Sequence, residues 1–306
     1  MNIPGRRPDA CCAPDLELFA GIEAGGSKIR CAVGQVPNPQ AGDWVVDAEM
    51  VLPTGAPNET VGSILEFLSA YSVRAVGVAA FGPVVVDLDS PNYGVVLDTP
   101  KLDWQNFSWC EELAGHAPSI TVDTDVNCAA RAEAHWCSRR EGSLAYVTVG
   151  TGIGLGLASV SVGGIGHPEF GHIPVRRHPS DTFPGTCPFH SDCLEGLASA
   201  PALRERWQCD PEHLTDELAW EIEAYYLAQA STIVLRTMPV EHLVLAGGVM
   251  AKPGLLDQVR SGIAHFSAEY GEFGLPLAQR VHAPLLGNDS GVVGALLIAS
   301  SSSETI

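Results

Sequence analysis

The chain has 306 residues, of which 46% are hydrophobic and only 17% charged. That much apolar material supports a large core and excludes a disordered chain, and the length suggests about two domains. Lysine and arginine number 17 against 36 aspartates and glutamates, a formal charge of −19. Such a surface would be repelled by a phosphate backbone, so nucleic acid is not an expected partner.

No apolar run reaches the ~18 to 20 residues needed to span a bilayer, so no membrane is expected either. The nine cysteines are an odd number, and no signal peptide is visible: Arg6 and Arg7 are followed by Pro8, Asp9 and a cysteine pair. These features suggest reduced thiols and a cytoplasmic protein. Residues 1–18, polar at first and rich in proline, read as a mobile tail.

Short apolar runs at Phe19 to Glu23, Ile29 to Val33 and Trp44 to Val51 read as three strands in an antiparallel meander. Val61, Ile64, Leu65 and Leu68 follow helical spacing, with Thr60 as the expected cap. Val73 to Ala80 is a fourth strand. The pattern then partly repeats. Ile120 to Val122 is a strand and Cys128 to Trp136 a helix; Leu144 to Val149 and Leu155 to Val162 are strands around a glycine turn. Residues 163–193 read as irregular. A long helix is expected from Asp216 to Met238, a strand at His242 to Ala246, a helix at Leu255 to Phe266, a strand at Val281 to Ala283 and a final helix at Gly291 to Ser300. This is a duplicated α/β architecture with a cleft between its halves. The expected domains are 19–117, with a C-terminal helix in 291–306 packing back, and 118–290, containing a loop 167–195.

Three glycine turns end strands. Gly25-Gly26-Ser27-Lys28 brings bare backbone, a hydroxyl and a cation together, which suits a phosphate as well as a tight hairpin. The chain has only three lysines, Lys28, Lys101 and Lys252, which weights the first reading. Gly150-Thr151-Gly152 and Gly247-Gly248-Val249-Met250 are the others. Together they fit a nucleotide.

Cys187, His190 and Cys193 form C-x-x-H-x-x-C, a spacing suited to tetrahedral zinc. A fourth ligand is required, and His167, His172 and His178 lie nearby in sequence. A closed Cys₂His₂ set would be structural. Asp123-Thr124-Asp125-Val126-Asn127 joins a strand to a helix, where a carboxylate serves equally as general base or helix cap. Glu169 and Glu195 flank the cysteine cluster, as ligand contacts or as surface charge.

In order and spacing these segments resemble the ROK family of sugar kinases, in its bacterial fructokinase branch. The resemblance runs from about Phe19 to Ala299. It rests on GIEAGGSK at 21, FGPV at 81, TPKLDW at 99, DTDVN at 123, VGTGIG at 149, HPEFGH at 167, CPFHSDCLEG at 187, ASAPA at 198 and AGGVM at 246. Ser27 stands where the family usually has threonine, Ala200 and Ala246 where it often has glycine, and the 159–166 hairpin looks shortened.

The resemblance implies an actin-like ATPase fold, two ribonuclease-H-like α/β domains around a central cleft, with a zinc-bound loop. It implies ATP-dependent phosphorylation of D-fructose to D-fructose 6-phosphate, with glucokinase, mannokinase, broader hexokinase or a non-catalytic sugar binder as alternatives. Asp125 takes the place of the base. Gly25, Gly26, Ser27, Lys28, Thr151, Gly152, Pro201, Ala246, Gly247, Gly248, Val249 and Met250 would contact ATP and its Mg²⁺. Asn106, Asn127, Glu169 and Glu195 would contact the sugar. His172, Cys187, His190 and Cys193 would hold a structural Zn²⁺. A homodimer is also implied.

Overall fold

The computed structural model describes residues 17–35, 46–99, 101–137, 144–158, 169–267 and 276–301. The expected tail and the 159–166 hairpin lie outside them, except that Leu18 of the tail opens the first strand. The chain divides into two compact units, one built from residues 17–137 and 288–301, the other from 144–157 and 169–287.

In the first unit β1 (Leu18–Ala24), β2 (Lys28–Gly34) and β3 (Val46–Pro53) form the expected antiparallel meander. Helix α1 (Pro57–Leu68) begins earlier than Thr60. Proline suits the first turn because its missing N–H has no helical partner there, so Thr60 falls inside the helix, 3% exposed. Strand β4 (Val73–Ala80) lies parallel to β1. After the short α2 (Trp109–Glu112) comes β5 (Ile120–Thr124), parallel to β4 from Val76↔Ile120 to Ala80↔Thr124. That pairing places β5 and α3 (Asp125–Trp136) in the first unit, so the boundary falls later than residue 118. The sheet order is β3-β2-β1-β4-β5.

The second unit holds β6 (Leu144–Val149), β7 (Ile153–Ala158), α4 (Leu194–Ala198), α5 (Ala200–Trp207), α6 (Glu217–Thr237), β8 (His242–Ala246), α7 (Leu255–Ser267) and β9 (Val281–His282). Its sheet runs β7-β6-β8-β9, with β6, β8 and β9 parallel. In both sheets the first strand lies between its hairpin neighbour and a parallel strand. Helix α6 supplies Trp220, Ile222, Tyr226, Leu227 and Val234 to this unit's core. Asp216 caps it, its side chain accepting from the Leu218 N–H at 2.9 Å.

The last helix, α8 (Ser290–Ser301), returns to the first unit and packs on β1, β4 and α3. It sits so close that a Cβ on Gly77 of β4 would lie 2.0 Å from the Ala295 carbonyl oxygen. Among the described residues no helix is long and apolar enough to cross a membrane.

Candidate active site and metal centre

The β1–β2 turn is tight. Gly25 N–H donates to the Lys28 carbonyl at 3.0 Å, and Thr54 Oγ1 donates to the Gly25 carbonyl at 2.8 Å. Gly26, Ser27 and Lys28 are left exposed. Just before the turn, Glu23 faces Arg30 across the hairpin, and its Oε2 is 3.6 Å from Arg30 Nη1. That oxygen is buried with no hydrogen-bond partner. Burial raises the Glu23 carboxyl above its ordinary range, while Arg30 and Lys28 pull it down. Arg30 is itself buried. It donates to Glu49 at 2.8 and 3.0 Å, to Asp289 at 2.7 Å and to the Asn288 carbonyl at 2.6 Å. Sequence reasoning missed Arg30; the hairpin register that sets it opposite Glu23 was the available signal.

In the same unit, Asp123 and Asp125 end β5 and start α3 and have different fates. Asp123 is buried and committed. Its Oδ1 accepts from Thr124 N–H at 2.7 Å and Asn127 Nδ2 at 2.8 Å, and its Oδ2 pairs with Arg131 at 3.2 Å. Thr124 caps α3 by accepting from Asn127 N–H at 3.1 Å. Asp125 is half-buried and accepts from the Val126 N–H at 2.9 Å. Burial pushes its carboxyl up to about 7, and the nearby Glu23 charge adds to the rise. A helix N-terminus normally favours the anion; here desolvation wins.

Two expected sugar contacts are placed here. Asn106 is exposed in a left-handed turn, φ 62°, a conformation asparagine tolerates. Asn127 is 6% exposed and its amide nitrogen donates to Asp123 Oδ1, so it braces the Asp125 loop.

In the second unit the other two glycine turns meet. Gly150 N–H donates to the Gly152 carbonyl at 2.9 Å, and Ala200 N–H at the start of α5 donates to the Gly150 carbonyl at 2.8 Å. Gly247, φ 95°, comes so close to β6 that a Cβ there would lie 2.3 Å from the Val149 carbonyl oxygen. Thr151, Gly247 and Gly248 are exposed, and Pro201 and Met250 half-buried. Ala246 and Val249 are 3% and 1% exposed. Their side chains fill the core beneath the turn, which leaves only their backbone to meet a ligand.

Glu195, in the first turn of α4, accepts from the Ile153 N–H at 2.8 Å. Gly152 makes room for it: a Cβ there would meet Oε2 at 2.8 Å. Glu169 is exposed, its Oε2 3.8 Å from His172 Nε2.

The metal quartet also lies in this unit. Ligand atoms of His172, Cys187, His190 and Cys193 all fall within 4.8 Å of one another. His172 Nδ1 is 3.6 Å from Cys187 Sγ and 3.5 Å from Cys193 Sγ, and His190 Nδ1 is 3.8 Å from Cys187 Sγ. A tetrahedron with metal–sulfur bonds of about 2.3 Å and metal–nitrogen bonds of about 2.0–2.1 Å has sulfur–nitrogen edges of about 3.6 Å. These three sulfur–nitrogen distances match that edge, and the donor set of two thiols and two imidazoles suits zinc. His172 is the upstream histidine in the quartet; His178 Nε2 is instead 3.8 Å from Glu221 Oε1, and His167 lies outside the described residues. A tight turn shapes the knot, with Cys187 N–H and Ser191 N–H each donating to the other residue's carbonyl at 3.2 and 2.9 Å.

A family model described as the ROK family matches residues 19–302. The chain is 36% identical over 302 residues to a fructokinase of Zymomonas mobilis subsp. mobilis, covering 93% of this chain and 97% of the relative. It is 34% identical over 293 residues to a fructokinase of Pediococcus pentosaceus, covering 93% and 98%. Its fold matches the ROK hexokinase from Thermus thermophilus with a TM-score of 0.69 at 21% identity, covering 94% of this chain and 99% of that one. It also matches a ROK family glucokinase from Streptomyces griseus, solved in complex with glucose and AMPPNP, with a TM-score of 0.68 at 22% identity, covering 93% and 99%. These likenesses give the fold, the two-sheet α/β architecture of the actin-like ATPase kinases. With the family match spanning nearly all of its length and relatives above 30% identity, the chain belongs to the ROK family.

Proposed function

We propose that the protein is an ATP-dependent sugar kinase, and that its substrate is D-fructose, phosphorylated to D-fructose 6-phosphate. The observation that carries the reading is Asp125, a half-buried carboxylate at the start of α3 pushed up to about 7. A general base works best with a pKa near the working pH. The relatives named fructokinase support the choice of sugar.

Phosphoryl transfer asks a protein mainly for positioning and charge neutralisation. In this reading Asp125 takes the proton of the attacking primary hydroxyl. The sugar oxygen bonds to the γ-phosphorus, the bond from that phosphorus to its bridging oxygen breaks, and ADP leaves. Gly25, Gly26, Ser27, Lys28, Thr151 and Gly152 would hold phosphates. Gly26, Gly150 and Gly248 suit this role, since a Cβ built on any of them would meet no atom within 4 Å. Pro201, Gly247, Gly248 and Met250, with the backbone of Ala246 and Val249, would line the rest of the nucleotide site. Bound Mg²⁺ supplies charge neutralisation and keeps much of its water. The orphaned Glu23 Oε2 fits a partner of that kind.

Asn106, Asn127, Glu169 and Glu195 would bind sugar hydroxyls, and Asp123 would hold the Asp125 loop from behind. His172, Cys187, His190 and Cys193 would hold Zn²⁺, which contributes folding energy and no reaction step. His172 would then present Nδ1 to the metal and Nε2 to Glu169, the arrangement in which a second-sphere carboxylate orients a ligating imidazole.

The test is ADP release with MgATP and a panel of fructose, mannose, glucose, N-acetylmannosamine and N-acetylglucosamine. The expected result is fructose preference. Asp125→Asn should then lower turnover ~10²- to 10⁴-fold while sugar still binds. Preference for another hexose would move the substrate, and unchanged turnover in Asp125→Asn would remove the base.

A further inference from the structure

Beneath the metal loop lies a charged cluster that the proposed reaction does not use. Arg206 of α5 and Asp181 of the loop form an ion pair at 3.1 Å, with side chains 6% and 2% exposed. The same Arg206 nitrogen, Nη2, donates to the Leu197 carbonyl at 2.7 Å. The guanidinium lies over Phe183, 4.8 Å from the ring centre, and 5.8 Å from that of Tyr226. Tyr226 Oη donates to Asp181 Oδ2. Three residues further along α6, Gln229 clamps the loop again, accepting from Arg176 N–H at 3.0 Å and donating to the Arg176 carbonyl at 2.9 Å.

This account leaves four polar atoms over. Arg206 Nε and Nη1 are buried donors with no hydrogen-bond partner, and both carboxyl oxygens of Glu223 on α6, a residue 0% exposed, are buried without one too. Glu223 lies one turn before Tyr226 on α6, whose ring Arg206 approaches at 5.8 Å, yet Arg206 and Glu223 make no hydrogen bond to each other. Buried polar groups in folded proteins nearly always find a partner, protein or water. Here the orphans belong to oppositely charged residues, so one occupant can serve both sides. Arg206 is already paired with Asp181, so no ion is needed to balance its charge. A neutral molecule that accepts from the guanidinium and donates to the carboxyl suits both, and water needs only two to four such partners.

We infer that Arg206 and Glu223 enclose a buried ordered-water site that joins α5 to α6. The water completes a chain of contacts from Glu223 through Arg206 to Asp181 and Tyr226. That chain fastens residues 176–183 to the helices by a route separate from the metal quartet. Asp181 already neutralises Arg206, and burial raises the Glu223 carboxyl well above its ordinary range toward the neutral form. Water therefore meets a site with little net charge.

The test is a high-resolution crystal structure of the full chain. The expected result is a solvent peak within about 3.2 Å of both an Arg206 nitrogen and a Glu223 oxygen. A direct Arg206–Glu223 hydrogen bond, or a dry gap, overturns the inference. Thermal melting of two variants checks it independently. Glu223→Gln keeps an acceptor for the water and should melt within about 1–2 °C of the parent. Glu223→Met removes it, orphans the guanidinium side, and should melt about 5 °C lower. A Met variant as stable as the parent, or equal losses in both, also overturns it. If Glu223→Met does not fold, the parent's density decides.

Discussion

Glu195 Oε2 accepts a hydrogen bond from the backbone N–H of Ile153 at 2.8 Å. A carboxylate proposed to hold the sugar is thus tied to the first residue after the Gly150–Gly152 turn, proposed to hold phosphate. Glu169 sits elsewhere, exposed beside His172, with its Oε2 3.8 Å from His172 Nε2. The two glutamates should therefore behave differently. Glu195→Ala should raise the Michaelis constant for sugar at least ~10-fold and that for ATP a few-fold, as expected when a charged hydrogen bond is lost. Glu169→Ala should raise only the sugar constant. Two-substrate initial rates separate the cases, and an unchanged ATP constant in Glu195→Ala would mean the bond to Ile153 carries no coupling.

The raised Asp125 sets a pH dependence. A base must be ionised to accept a proton, so activity should fall as pH drops through about 7, the value to which burial pushes this carboxyl. Glu23 contributes to the rise by like-charge repulsion. Glu23→Gln should accordingly shift the acidic limb of the kcat/KM profile to lower pH, even as the loss of a proposed Mg²⁺ contact lowers the rate. An acidic limb that stays in place, or moves up, would separate Glu23 from the titration of Asp125.

Metal removal should act locally. The quartet joins His172 to the 187–193 turn, whereas residues 176–183 are also held by Gln229, Tyr226 and Arg206. Prolonged chelation should release about one zinc per chain, a quartet's complement. It should also raise the sugar Michaelis constant and lower the melting temperature. Hydrogen exchange should quicken across 184–193 while 176–183 stays protected. Uniform loss of protection across 173–193 would mean that the metal alone holds the loop.

Much of this architecture is legible locally. The helix expected from Asp216 to Met238 is α6 with its two caps, because an acidic cap and unbroken apolar periodicity are both short-range signals. The metal quartet is legible for the same reason: three of its members lie within seven residues. What escaped depends on tertiary contact. Thr60 looks like a cap by composition, yet Pro57 starts the helix first. Ala246 and Val249 sit in a glycine-rich motif, yet both side chains pack into the core, 3% and 1% exposed, against segments distant in sequence. The bond between Arg30 and Asp289 joins residues 259 apart in sequence, a distance over which no spacing rule reaches.

That last contact gives a stability prediction. Arg30 faces three carboxylates, Glu23 at 3.6 Å, Glu49 at 2.8 Å and Asp289 at 2.7 Å, with its side chain 10% exposed. A planar guanidinium can donate along several directions at once; a lysine ammonium on a shorter reach cannot reproduce that fork. Arg30→Met would leave the acidic groups facing one another without their common cation. Removing one partner from a buried charge cluster typically costs about 3–5 kcal/mol, here a fall of roughly 5–15 °C in Tm. Arg30→Lys should recover only part of that loss. Adding Asp289→Asn to Arg30→Met should also recover part of it, because one of the stranded charges is then gone. Melting curves of the three variants decide the matter, and a double variant no more stable than Arg30→Met would show that packing, and not charge, is what Arg30 supplies.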